Sequence, residues 1–226
     1  MNAMAKEGGR RMRSRTIAVA LLLGAWAAFA LWYTPLRGPL SGEEVERYVA
    51  AFAARGGDAA DLERLRHFLD SDSGGDFVML NVIELREPPL VVDGVAPGSS
   101  ASEVLGEYME YMTPALLRRA SHPVLFGSAA AEALDLWGVE GAHRWSQGAA
   151  MRYRSRRDMM EIATHPDFQG RHEYKLAAMS KTIAFPLDPW FQLGDPRLLS
   201  GLITLILVLL LIRRPARPAA ARRRKS

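Results

Sequence analysis

The chain has 226 residues, with 29 Lys and Arg against 25 Asp and Glu, and it contains no cysteine. The lack of cysteine excludes disulfides, thiolate nucleophiles and cysteine-ligated zinc. Segments 1–15 and 213–226 together hold 12 of the basic residues and one acidic residue, whereas the middle holds 17 basic and 24 acidic residues. A nucleic-acid interface needs basic residues spread over a folded face. This distribution therefore predicts no nucleic-acid partner.

The first long apolar segment, 16–33, follows the basic tail 1–15 and contains no charged residue. Its length and composition predict a transmembrane helix. A basic start, an apolar stretch and the small residues Ala28 and Ala30 are also typical of a cleavable signal peptide. Aromatic rings at the outer end favour a retained anchor, because they prefer the membrane interface; these are Trp26, Trp32 and Tyr33.

The second apolar segment, 198–212, consists almost entirely of Leu, Ile and Val and runs into the arginine-rich tail 213–226. As a helix it would be about 22 Å long, short of a hydrocarbon core of about 30 Å. We predict a transmembrane helix whose flanking arginines extend to the interface.

Lys and Arg beside membrane spans stay on the cytoplasmic side. Both tails are therefore predicted to be cytoplasmic, and residues 34–197 extracytoplasmic. The Ala- and Arg-rich composition indicates a GC-rich bacterium. The predicted location is thus the bacterial inner (cytoplasmic) membrane, crossed twice, with membrane lipid as one partner.

The segment 34–73 predicts a helical hairpin followed by a linker. Residues 42–54 place apolar side chains on one stripe, and Ser41 with Glu44 has the spacing of a capping box. Glycines end this helix, and a second helix is predicted over 58–69. The hairpin is expected to form a collar between the membrane and the next domain.

The segment 74–189 predicts an α+β domain. Its elements, in order, are a strand at 77–85, a helix at 102–117, strands at 124–130 and 145–154, helices from Ser155 and at 169–180, and a strand at 182–186. The order β-α-β-β-α-β is that of the ferredoxin-like fold. The first strand, FVMLNVIEL, is apolar on both faces, which predicts a sheet covered on both sides.

Several short motifs of this domain belong to one known pattern. They are Met79-Leu80-Asn81, a following helix with Tyr108 and Tyr111, Tyr153-Arg154-Ser155-Arg156, and His165-Pro166-Asp167-Phe168. In order and spacing, residues 76–189 resemble the family called domain of unknown function 1330, of the dimeric α+β barrel superfamily. The resemblance implies a ferredoxin-like domain that forms a homodimer, here in a membrane-anchored form.

Six residues are candidate ligand-binding groups: Asn81, Tyr108, Tyr111, Trp145, Arg152 and His172. A buried amide at Asn81 must find a partner, either on the facing helix, such as a tyrosine hydroxyl, or on a ligand. Arg152 is suited to binding a carboxylate or phosphate, but pairing with the acidic residues of the domain is the preferred interpretation. Trp145 could line a pocket or fill the dimer interface.

The sequence contains no nucleotide-binding glycine motif and no signature of a metalloprotease or serine hydrolase. We expect no metal site and no cofactor, and we assign no catalytic residue. The first functional hypothesis is an anchored extracytoplasmic domain that binds a small ligand or a protein partner. The alternative is an oxygenase or isomerase that acts on a small hydrophobic compound with little or no cofactor, an activity that the superfamily resemblance implies. Whether the protein is an enzyme stays open.

Overall fold

A computed structural model describes residues 2–190 and 192–213. Its contacts separate two compact units, one of Met1–Ala30 with Leu193–Ser226 and the other of Leu31–Gln192. We call them the helical unit and the globular unit.

The helical unit contains most of α1 (Asn2–Tyr33) and all of α7 (Pro196–Ile212). Asp195 caps α7, and Pro196 begins it, because a proline in the first turn lacks only a donor that has no helical partner there. Among the described helices, Met12–Tyr33 alone is long and apolar enough to cross a membrane, whereas α7 is a shorter apolar helix of 17 residues. No side chain of α7 is buried. The tail from residue 214 onward lies outside the described residues.

The predicted hairpin is formed by α2 (Gly42–Ala53) and α3 (Ala59–Asp70), and the capping box of Ser41 and Glu44 is present. The hairpin is not a separate collar. Its apolar stripe packs against Met160 of α5 (Arg156–Ala163) and is therefore part of the globular unit.

Four antiparallel strands form one sheet in the order β2-β3-β1-β4. They are β1 (Phe77–Leu85), β2 (His122–Ser128), β3 (Gln147–Tyr153) and β4 (Met179–Leu187). Helices α4 (Ala101–Leu117), α5 and α6 (Pro166–Ala178) complete the predicted order. The ferredoxin-like α+β fold is thus confirmed by connectivity and strand order.

Several boundaries differ from the prediction. Strand β2 covers His122–Ser128 rather than 124–130, and β4 begins at Met179, where the helix was predicted to continue to residue 180. Two further differences have clear local reasons. Helix α6 begins at Pro166 rather than at residue 169, because His165 caps it and proline is tolerated in the first turn. Strand β3 begins at Gln147, so Trp145 lies in the loop before it.

One face of the sheet is covered and the other is mostly open. Phe77 and Tyr153 stack on the covered face against Tyr108 and Met112 of α4. Strand alternation places a second apolar set on the opposite face, and several of its members are well exposed: Leu125 66%, Ile183 41%, Phe185 42% and Leu187 42%. The prediction that both faces are covered is therefore wrong for a single copy of the chain.

Candidate functional site

The structure places the six candidate residues in four different environments. Asn81 lies on the covered face of β1 and is half-buried. Its Nδ2 donates to the carbonyl of Met79 at 3.1 Å and to that of Ala149 at 3.5 Å. The predicted hydrogen bond to the facing helix is therefore wrong, because carbonyls of the sheet itself are within reach of the amide.

Arg152 is an internal structural residue and not part of a pocket. Its side chain is 1% exposed. Its Nε and Nη2 donate to Asp76 at 2.9 and 2.7 Å, and its Nη1 donates to the Ala120 carbonyl at 2.6 Å. This saturation corrects the ligand-binding assignment and supports the alternative of pairing with acidic residues.

Trp145 lies beside a polar cavity at one end of the sheet. The Lys181 ammonium lies 4.6 Å from the centre of a Trp145 ring. The cavity has a volume of about 630 Å³ and is lined by Glu84, Leu85, Glu87, His143, Arg144, Ser146, Ser180 and Lys181. Its carboxylates already accept hydrogen bonds, Glu84 from Ser146 and Glu87 from the Ala101 amide. This cavity is a polar surface depression next to Trp145.

The remaining three candidates, Tyr108, Tyr111 and His172, come together between α4 and α6. Phe168 joins them, with ring-centre distances of 6.1 Å to Tyr108, 6.2 Å to Tyr111 and 5.3 Å to His172. The Tyr108 and His172 rings meet edge to face at 6.5 Å. We call these four residues the aromatic cluster. It extends from the half-exposed Tyr111 to the buried Tyr108.

The polar atoms of the cluster are in an unusually apolar setting. His172 Nδ1 is buried and has no hydrogen-bond partner. Burial lowers the pKa of His172, and the nearby charge of Lys175 lowers it further. Burial also lowers the pKa of the Lys175 ammonium and raises the pKa of the Tyr108 hydroxyl. An unpaired buried polar atom costs about 1–3 kcal/mol, so the cluster retains a group that the fold itself does not use.

Sequence reasoning missed Phe168 and Lys175. Together with His172 they follow the spacing i, i+4, i+7 on one side of α6. The signal was present, but starting the helix at residue 169 left Phe168 in the preceding break. Among the described residues, no group of three His, Asp or Glu side chains is placed to hold a metal ion.

Comparisons with known proteins assign neither a family nor a ligand to this chain. No family model and no curated protein matches the chain. A protein of unknown function from Rhodopseudomonas palustris is 22% identical, with a TM-score of 0.48 over 57% of this chain and 94% of that one. A dimeric ferredoxin-like protein of unknown function from Jannaschia sp. CCS1 is 14% identical, with a TM-score of 0.34 over 51% of this chain and 100% of that one.

A third solved structure is a putative antibiotic biosynthesis monooxygenase from Bacteroides thetaiotaomicron. It is 13% identical, with a TM-score of 0.31 over 54% of this chain and 95% of that one. These likenesses are too distant to assign a reaction or a ligand.

Proposed function

We propose that the protein is a membrane-anchored extracytoplasmic ferredoxin-like domain that pairs with a second copy and binds a small molecule at the aromatic cluster. In this proposal α1 and α7 both cross the bacterial cytoplasmic membrane, with both termini in the cytoplasm. The arginine blocks outside the two apolar segments support this topology. The motif order between residues 76 and 189 supports a place in the domain of unknown function 1330 family.

Reporter fusions test the topology. An enzyme that is active only outside the cytoplasm should be silent when it is fused after Ser226. The same reporter fused after Gln192, without α7, should be active. Activity of the Ser226 fusion would contradict the double-pass arrangement.

The open sheet face supports pairing of two copies. Its exposed residues on β4 and β2 are large and apolar, and an exposed apolar face of this kind is normally an association site. Two such faces can pack against each other as in other two-layer sheets. A second copy presents the same apolar surface, and one copy alone leaves it in water.

A charge on that face should separate the copies. Phe185→Glu is expected to convert the full-length protein in detergent from dimer to monomer, as measured by light scattering. Trp137→Glu is the matched control, because Trp137 is 93% exposed in the loop before β3. A wild-type monomer, or an unchanged dimer of the Phe185→Glu variant, would contradict pairing through this face.

The buried, unpartnered Nδ1 of His172 is the observation that carries the ligand-binding proposal. It lies among aromatic rings that reach the surface at Tyr111. Apolar walls with a few convergent polar groups are typical of small-molecule sites. The cluster therefore fits a small planar or apolar compound with one polar group that pairs with His172.

Native mass spectrometry of the full-length protein, released from detergent micelles, tests this directly. We expect a co-purifying small molecule that is lost in His172→Phe and retained in His67→Phe. His67 is the control because it is an exposed histidine of α3, outside the aromatic cluster. Equal retention in the two variants would contradict binding at His172.

One observation favours the enzymatic alternative. The buried Nδ1 of His172 has no partner within the fold, and burial lowers the pKa of the imidazole, which favours the neutral form that can accept a proton. An isomerase would move a proton of a small hydrophobic substrate in this way, whereas an oxygenase would use the same base to form the carbanion that reacts with oxygen. Any compound identified above can be incubated with the protein in heavy water. Deuterium incorporation by the wild type but not by His172→Phe would support catalysis, and no incorporation would favour binding alone.

A further inference from the structure

We propose that α1 and α7 pack together as one antiparallel helix pair in the membrane, and that α1 is therefore retained in the mature protein instead of being removed as a signal peptide. This inference rests on the membrane anchoring proposed above. It adds a structural reason for the retained α1 that the proposed double-pass topology requires.

The two helices are in contact where the Trp26 side chain of α1 lies against Gly201 of α7. The indole Nε1 of Trp26 donates to the carbonyl of Arg197 at 3.2 Å. A Cβ atom at Gly201 would lie 3.1 Å from that same nitrogen and 3.4 Å from the neighbouring ring carbon. Glycine thus permits the close approach of a large side chain, as small residues do where membrane helices pack.

The Trp26 hydrogen bond has a reason in the membrane. Backbone and side-chain polar groups there find no water, so an indole N–H needs a protein acceptor or the interface. A signal peptide that is only to be cut away needs no such acceptor on a distant helix. The residue that accepts lies in the first turn of α7, 171 positions along the chain.

Partial burial along both helices points to the same pairing. The less exposed large residues of α1 are Val19, Leu22 and Phe29. In α7 less exposed residues recur three or four positions apart; these are Gly201, Thr204, Val208 and Leu211. Both sets recur about every helical turn, which is the spacing of one helix face. Their neighbours Leu21, Leu210 and Ile212 are 69%, 60% and 55% exposed. Each helix therefore has one face turned to a partner and another left for lipid.

Pairing also explains how α7 can span a membrane. Its 17 residues give a helix of about 25 Å, against a hydrocarbon core of about 30 Å. A short span is accommodated by local thinning or by association with a neighbour. The longer α1 supplies that neighbour.

The first test is the mature N-terminus. The full-length protein, tagged after Ser226 and purified from bacterial membranes, is analysed by intact mass and N-terminal sequencing. We expect residues 1–30 to be present, with at most the initiator methionine missing. A chain that begins at Leu31 would overturn the inference and also the proposed crossing by α1, whereas the linking test below bears on the helix pair alone.

The second test uses the absence of native cysteine, which removes any background. Trp26→Cys with Gly201→Cys, treated in membranes with a short bis-maleimide, should join the two helices. The link is read as α1 and α7 peptides that stay together after protease digestion of the globular unit. The control pair is Leu21→Cys with Gly201→Cys, because Leu21 points away from the less exposed face.

The outcomes separate this inference from the proposed anchoring. Efficient linking of the first pair and little of the control supports the helix pair. Equal linking of both pairs, or none in a membrane-bound protein that keeps α1, overturns the pair while the anchoring stands. Recovery of the protein in the soluble fraction overturns both.

Discussion

The guanidinium carbon of Arg152 lies 3.6 Å from the centre of the Tyr33 ring, and its Nη2 donates to the Tyr33 carbonyl at 3.1 Å. Both residues are almost fully buried. The Tyr33 hydroxyl is also 2.7 Å from His122 Nε2. The last residue of α1 is therefore part of the globular unit, and a fragment limited to residues 74–189 would lose it.

Loss of the Arg152 charge should destabilise the globular unit. We expect Arg152→Met to cost about 3–5 kcal/mol, because it removes the buried cation that donates to the Asp76 carboxylate and to two backbone carbonyls. Thermal unfolding of the full-length protein, followed by near-UV circular dichroism, measures the loss. Arg64→Met is the control, since Arg64 is 70% exposed and pairs with Asp61 on the surface, where such pairs contribute about 0–1 kcal/mol. Similar melting of the two variants would show that the buried network is not needed.

The ion pair of Glu44 and Arg157 should make stability depend on pH. A hydrogen bond from Arg157 lowers the pKa of the Glu44 carboxyl from 4.5 to about 2, with burial opposing the change. A carboxyl with a lowered folded-state pKa stabilises the fold above its unfolded pKa, and this contribution is lost as pH falls. We expect stability to decline between about pH 4.5 and pH 2.

Glu44→Gln should flatten that decline and lower stability at pH 7. Glu46→Gln is the matched control, because Glu46 pairs with Arg66 but the Glu46 side chain is 65% exposed. Melting curves between pH 2 and pH 7 would distinguish them. If the stability of Glu44→Gln falls with decreasing pH as steeply as that of the wild type, the Glu44–Arg157 pair is not the cause of the pH dependence.

Asn81→Ala should have a modest structural effect. The half-buried amide donates to carbonyls of its own sheet, and the net value of such a hydrogen bond is about 0.5–1.5 kcal/mol. We expect a small fall in the melting temperature of the apo protein and an unchanged ligand-induced shift. An unaltered apo melting temperature with a lost ligand shift would instead assign Asn81 to a ligand.

His172→Phe should abolish ligand binding without lowering the stability of the protein. Removing a buried nitrogen that has no partner relieves a cost of about 1–3 kcal/mol, while the phenyl ring keeps the aromatic contacts with Phe168. We therefore expect an equal or higher melting temperature together with loss of the co-purifying compound. A clearly lower melting temperature would mean that His172 is a structural residue.

The sequence by itself predicted the elements and their order. The predicted strand 77–85 matches β1, and the predicted cap at Ser41 and helix start at Ser155 match α2 and α5, because caps and strand runs are local features set by neighbouring residues. The order of these elements, β-α-β-β-α-β, was enough to predict the ferredoxin-like fold.

The partners of the polar residues were decided by tertiary structure alone. The sequence places Arg152 and Asn81 on predicted strands. It does not show that Asp76, Ala120 and Tyr33 accept the hydrogen bonds of the Arg152 guanidinium. Such contacts join residues far apart in the chain, and hydrophobic periodicity carries no information about them. Tyr33 is the clearest example. The apolar composition of segment 16–33 assigns it to a membrane span, whereas its contacts place it in a folded core.

The candidate site was recovered in part for the same reason. Residue type and helical position separately mark Tyr108, Tyr111 and His172 as candidates, and the packing of α4 on α6 brings the three together around Phe168. Periodicity determines which face of a helix is apolar. The choice of the neighbouring helix, and with it the burial of His172 Nδ1, depends on how the whole chain closes over the sheet.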